Sequence, residues 1–188
     1  MIWQRNNRLP TYAGIDYSLT SPAICIGDQK SIDFSSVTCY FLSNLARFES
    51  FKELNIYGNV HEAFESDQDR YDLISSWALD ILEDHEVDYV CIEGYSYGST
   101  GRVFNIAENM GILKDRIWEF NLKFEVAAPS AIKKFATGKG NANKEKMYEK
   151  FCEENPKTDL KGLLTPRASK VINPVSDIVD SYYILQYI

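Results

Sequence analysis

The fold of this chain turns on Y-A-G-I-D-Y-S-L-T-S-P-A-I-C-I, residues 12–26. Two apolar runs, residues 12–17 and 23–26, flank the step S-L-T-S-P. Ser and Pro favour a tight reversal, so the stretch predicts a strand, a turn and a returning strand. Next, V-T-C-Y-F-L at residues 37–42 is a third β-branched and aromatic run. Successive strands with short connections predict an antiparallel meander. Asp16 stands inside the first strand. A carboxylate there is unfavourable unless something compensates it.

Working outward, residues 1–10 are a polar lead-in, and residues 11–188 are expected to form a single domain. Residues 43–68 have no clear period and are expected to be a long connection with a short helix. Leu73, Ile74, Trp77, Ile81 and Leu82 recur at helical spacing, with Ser66 or Asp67 as cap. Residues 87–92 predict a buried strand ending at Glu93, followed by the glycine-rich loop G-Y-S-Y-G-S-T-G, residues 94–101. A helix over 103–120, a strand over 124–127 and a short helix capped by Ser130 follow. T-G-K-G-N-A-N (137–143) predicts a loop and 144–154 a helix. Residues 155–174 hold three prolines and predict a mobile connection. Ser176 is expected to cap a last helix over 177–188. This order predicts an α/β fold, a mixed sheet with helices on its faces.

Length and composition suit a globular chain with a proper core: 188 residues, 45% apolar and 25% charged. The formal net charge of −7 argues mildly against a nucleic-acid partner, because phosphate contacts favour Lys and Arg. Binding is local, however. Residues 133–150 gather Lys133, Lys134, Lys139, Lys144, Lys146 and Lys150 against only Glu145 and Glu149. Taken alone, that run is a solvated helix face. Gly138 and Gly140 within it allow backbone N–H groups to approach a phosphate. Cys25, Cys39, Cys91 and Cys152 form no C-x-x-C pair, which gives a zinc site no support. Cys25 and Cys91 read as small core residues. No apolar leader or membrane-length stretch is evident, so the expectation is a reduced, intracellular protein with no membrane partner.

Four acids stand where a sheet-based site needs them. Asp16 lies in the first strand and Glu93 ends the fourth, while Asp177 and Asp180 are three apart on one helix and share a face. If the first and fourth strands are neighbours, and the last helix crosses them, the four converge. Clustered carboxylates repel, and a hard divalent cation relieves that repulsion. Two such ions activate water and stabilise the leaving oxygen of a phosphodiester. Singly, each acid is equally a turn former or a solvated helix charge.

In order along the chain, these residues resemble the RuvC family of Holliday-junction resolvases, over nearly all of residues 12–188. G-I-D-Y-S-L-T is similar to its first motif, C-I-E-G-Y to its second, and V-S-D-I-V-D-S-Y-Y to its C-terminal motif. P-S-A-I-K-K-F-A-T-G-K-G-N-A-N-K-E-K-M, residues 129–147, resembles the family's basic short helix and T-G-x-G turn. The resemblance implies a ribonuclease H-like fold: a five-stranded mixed sheet, its first three strands antiparallel. It also implies Asp16, Glu93, Asp177 and Asp180 as catalytic, metal-binding residues holding two Mg2+ ions per site, with Mn2+ as a substitute. Lys133 or Lys134, with Lys144, match the phosphate-binding lysines. Lys139, Tyr95, Tyr97 and Arg102 join them as expected DNA contacts, the tyrosines stacking on bases opened at a branch. The implied substrate is branched DNA. Paired cuts in a nearly two-fold junction call for a C2 homodimer, expected through the helix bearing Ile106, Met110, Leu113, Ile117 and Trp118. The two longer connections fit a viral or organellar member, acting in the cytoplasm, a host's cytoplasm or an organelle. An actin-like ATPase or kinase module shares a G-I-D opening strand. A scaffold that lost catalysis, and a flap- or RNA–DNA-hybrid-cutting enzyme, are further alternatives.

Overall fold

The computed structural model describes residues 8–28, 33–95 and 102–188. Residues 1–7 of the expected lead-in, Tyr97 and most of the glycine-rich loop (96–101) lie outside them. The quoted stretch folds as read. Strand β1 (Tyr12–Asp16) turns back into β2 (Ala23–Gly27), which pairs in turn with β3 (Thr38–Ser43). Both pairings are antiparallel. Helix α1 (Asp67–Asp84) starts at Ser66, whose hydroxyl accepts the Asp69 N–H at 3.0 Å. It leads to β6 (Tyr89–Glu93), which lies parallel against β1. Helix α2 (Val103–Glu119) then returns the chain to β7 (Lys123–Ala127), parallel to β6.

The sheet is larger than expected: seven strands among the described residues, not five. The additions come from the connection read as irregular. There β4 (Lys52–Glu53) and β5 (Ile56–Val60) form a hairpin, and β5 pairs parallel with β3, giving the order β4-β5-β3-β2-β1-β6-β7. The turn is the two residues Leu54 and Asn55, at φ 51° and 62°. Two positive φ values match the twist of a tight hairpin. The expected short helix of that connection is a three-residue 3-10 turn, Ala46–Phe48.

Helices α3 (Pro129–Thr137), α4 (Lys144–Glu154), α5 (Leu160–Leu164) and α6 (Val175–Tyr187) complete the chain. Ser130 does not cap α3; Pro129 takes its first turn, where a missing N–H costs nothing. Nor does Ser176 cap α6, which already begins at Val175. The expected mobile connection is tied down. Leu160, Leu164 and Val171 are buried, and the Val171 N–H donates to Glu145 at 2.8 Å.

Alternation along the strands sends neighbouring side chains to opposite faces. Ala13 and Ile15 of β1, with Val90 and Ile92 of β6, face α1 and α2, packing on Ile74, Leu82, Leu113 and Ile117. Cys25, Cys39 and Cys91 face the other side, with Ile178, Tyr182 and Phe151. Cys25 and Cys39 are direct cross-strand partners and are joined as a disulfide, where Cys25 was expected as a small core residue; Cys91 and Cys152 are free. Gly14 fixes how α6 sits. Any Cβ there would collide with the backbone of Ser181 and Leu185, so the helix rests directly on the strand.

Candidate active site

Asp16 is two residues beyond Gly14, and Glu93 two beyond Cys91, so period-2 alternation puts both on the α6 side of the sheet. The parallel register pairs Ile15 with Ile92, leaving the two acids side by side at the strand ends. Helix α6 crosses above with Asp177 and Asp180 one turn apart. The structure therefore brings together all four acids singled out from the sequence. Asp16 and Glu93 line a cleft of about 310 Å³ with Tyr95, Met110, Pro129 and Lys133.

The electrostatics record their proximity. Burial, then the charges of Asp177, Asp180 and Glu93, push Asp16 far above the ordinary carboxylate range, with Lys144 opposing. Asp180 is pushed up to about 7 by burial and by Glu93 and Asp177. Asp177 rises to about 6 through burial, against its hydrogen bonds from Ser21 and Ser176 and the charge of Lys144. Burial raises Glu93, with Lys133 opposing. Four carboxylates against two ammonium groups leave a negative excess in a poorly solvated place. An all-oxygen set with that excess fits a hard divalent cation. Among the described residues no three His, Cys, Asp or Glu side chains are drawn in as a finished metal cage. Asp177 instead has Oδ2 on the Ser21 hydroxyl at 2.7 Å and Oδ1 on that of Ser176 at 3.0 Å.

The lysines separate into groups. Lys133, on α3, lines the cleft, whereas Lys134 is exposed. Lys144 opens α4 and its Nζ lies 4.0 Å from Asp177 Oδ1, donating to Asn173 Oδ1 at 3.1 Å and Ser176 Oγ at 3.0 Å. Lys139 is exposed on the turn between α3 and α4, just past Gly138 at φ 77°. Lys146 and Lys150 form helix-surface pairs with Glu149 at 2.8 Å and Glu153 at 3.3 Å, the solvated face expected of an ordinary charged helix. Tyr95 borders the cleft, and Arg102 is exposed at the start of α2.

Ser21, Asn173 and Ser176 were not singled out from the sequence as parts of the site. Their signal was present in S-P after the first strand and N-P-V-S before the last helix, but both strings equally mark turns. The anticipated dimer helix is also divided. Met110, Leu113 and Ile117 are buried and Ile106 lines the cleft, while Phe104 and Trp118 face outward, 79% and 72% exposed.

Comparison with known proteins places this geometry. Residues 49–151 match the family model described as Crossover junction endodeoxyribonuclease RuvC. No curated protein sequence matches the chain. Among solved structures, Thermus thermophilus RuvC superposes with TM-score 0.57 at 16% identity, covering 94% of this chain and 93% of that one. The same protein in complex with a Holliday junction gives 0.62 at 15% identity, covering 95% and 92%. The yeast mitochondrial Holliday junction resolvase Ydc2 gives 0.55 at 17% identity, covering 95% and 78%. At these identities the structural likeness speaks for the fold.

Proposed function

The chain belongs to the crossover junction endodeoxyribonuclease RuvC family, and from that premise we propose how its clustered acids and flanking lysines cut DNA. As a member it is a structure-selective endonuclease of junction DNA, in the ribonuclease H-like superfamily. The observation that carries the finer reading is the convergence of Asp16, Glu93, Asp177 and Asp180 beside one cleft. These acids are the residues that would hold the metal, two Mg2+ ions with Mn2+ as a substitute. Bound there, the ions supply a lowered pKa for the attacking water and charge stabilisation at the leaving oxygen.

Asp16 and Glu93 hold from the sheet; Asp177 and Asp180 hold from the helix. Lys133 on one side and Lys144 on the other receive phosphates flanking the scissile bond, and Lys134 and Lys139 extend that track. Tyr95 stacks on a base opened at the branch point, and Tyr97 and Arg102 are further DNA contacts. The substrate is a Holliday junction in preference to other branched DNA, and residues 11–188 act as one nuclease domain. The enzyme works as a homodimer in an intracellular compartment that holds DNA. The dimer meets through the outer face of α2, where Phe104 and Trp118 lie 14 residues apart, close to four full turns, with Gly111 open between them.

The test is a cleavage panel of four-way junction, flap, RNA–DNA hybrid and linear duplex with Mg2+. The junction should be cut in paired positions and the others poorly. Asp16→Asn, Glu93→Gln and Asp177→Asn should each abolish cutting while junction binding persists. Near-normal turnover by Asp16→Asn would overturn the assignment. Preferred cutting of flap or hybrid would transfer the reading to those substrates.

A further inference from the structure

We propose that Asn173 and Ser21 form a hydrogen-bond relay that orients Asp177 for metal and ties it to Lys144. The inference rests on the reading above of Asp177 as a metal ligand. Lys144 can only donate, so the Asn173 amide must turn its oxygen to the ammonium, 3.1 Å away. Its NH2 group then donates to Ser21 Oγ. An ionised carboxylate only accepts, so Ser21 directs its single hydrogen at Asp177 Oδ2, 2.7 Å away. Every link has one permitted direction, running from ammonium to carboxylate.

The relay's inner end is enclosed: Ser21 is 8% and Asp177 4% exposed. The Ser21 backbone is itself held, its N–H donating to Ser18 Oγ at 3.0 Å. A carboxylate that binds metal through one oxygen is aimed by a hydrogen bond on the other. Ser21 supplies that bond on Oδ2. Oδ1, the oxygen assigned to the metal, lies 4.0 Å from Lys144 and 3.0 Å from Ser176 Oγ, whose one hydrogen is shared with Asn173 Oδ1 at 2.9 Å. Asn173 thus joins a lysine at the phosphate side to a carboxylate at the metal side.

The experiment uses the full chain and Mn2+ as the probe. Calorimetric Mn2+ affinity, without DNA, is measured for wild type, Ser21→Ala, Ser21→Thr and Asn173→Ala. The Mg2+ concentration giving half-maximal junction cleavage at saturating DNA is the second readout. Ser21→Ala and Asn173→Ala should weaken Mn2+ binding by roughly 10–100-fold and shift the Mg2+ requirement by a similar factor. Ser21→Thr, which keeps the hydroxyl, should recover most of the loss. Ser21→Ala should bind metal-free junction as wild type does. Asn173 is exposed, so its variant retains the fold even where Ser21→Ala does not. Unchanged Mn2+ affinity in Asn173→Ala, or Ser21→Thr as weak as Ser21→Ala, overturns the relay while leaving the metal site standing. Wild type that binds no Mn2+ overturns both.

Discussion

Asp180 shows what burying this acid cluster costs in stability. Its folded-state pKa of about 7 lies above the ordinary carboxylate value, so the folded protein holds a proton that the unfolded chain releases. Stability linked to that proton is fully present below about pH 4 and is lost as pH rises toward 7. Asp177, pushed up to about 6, adds in the same direction. Asp180→Asn should therefore stabilise the metal-free protein at pH 8 by about 2–4 kcal/mol, with a gain roughly half as large or less at pH 5. Mg2+ should narrow the difference by stabilising wild type alone. Thermal melts at both pH values, with and without Mg2+, check this; an equal or lower melting temperature for metal-free Asp180→Asn at pH 8 would refute it. At this scale the acids were legible because each sits where an apolar pattern ends or turns amphipathic. Ser21 and Asn173 were not, since a small polar residue beside a proline satisfies a turn as well as a site.

Among elements, the contact of α6 with β1 governs whether the acids meet. Gly14→Ala forces the helix outward because its Cβ has only backbone to push against. The cost should be about 1–3 kcal/mol or more, with Mg2+-dependent cleavage reduced far beyond what the stability loss explains. A melting curve and a single-turnover rate measured together would show this, and wild-type values for both would refute it. The lysine-bearing elements give a second expectation. Lys133→Ala and Lys144→Ala should each flatten the salt dependence of junction binding by about one unit of slope. Lys146→Ala should leave it unchanged, because Lys146 is occupied by Glu149. Affinity across a salt series decides it: equal slopes in all three variants would mean that α3 and α4 do not follow the phosphates. Helices and central strands were readable from apolar period alone. The β4–β5 hairpin was hidden because its turn, Leu54–Asn55, takes positive φ without the glycine that ordinarily announces it. The anchoring of residues 155–174 was hidden because its apolar members are few and far apart.

For the whole molecule, the net charge of −7 and a DNA substrate are reconciled by placement. Four of the 27 acids meet beside the cleft, and Glu149, Glu153 and Glu154 of α4 pair with Lys146 and Lys150, while Lys133 and Lys144 flank the cluster. Assembly is the corresponding expectation. Trp118→Glu and Phe104→Glu should each convert a dimer to a monomer in sedimentation without lowering the melting temperature, since neither side chain is in the core. A wild type that sediments as a monomer both free and on a junction would refute the dimer. Because symmetric junctions need two cuts, the monomeric variants should nick and not resolve.

The meeting of α6 with Gly14 has a further consequence. Ser21 and the Asp177 it holds are 156 positions apart, and contacts so distant in sequence are slow to form. On the proposed assignment, a chain whose last helix has not docked carries Asp16 and Glu93 without Asp177 and Asp180 and is expected not to cut. Cleavage is then expected to report that the last helix has docked.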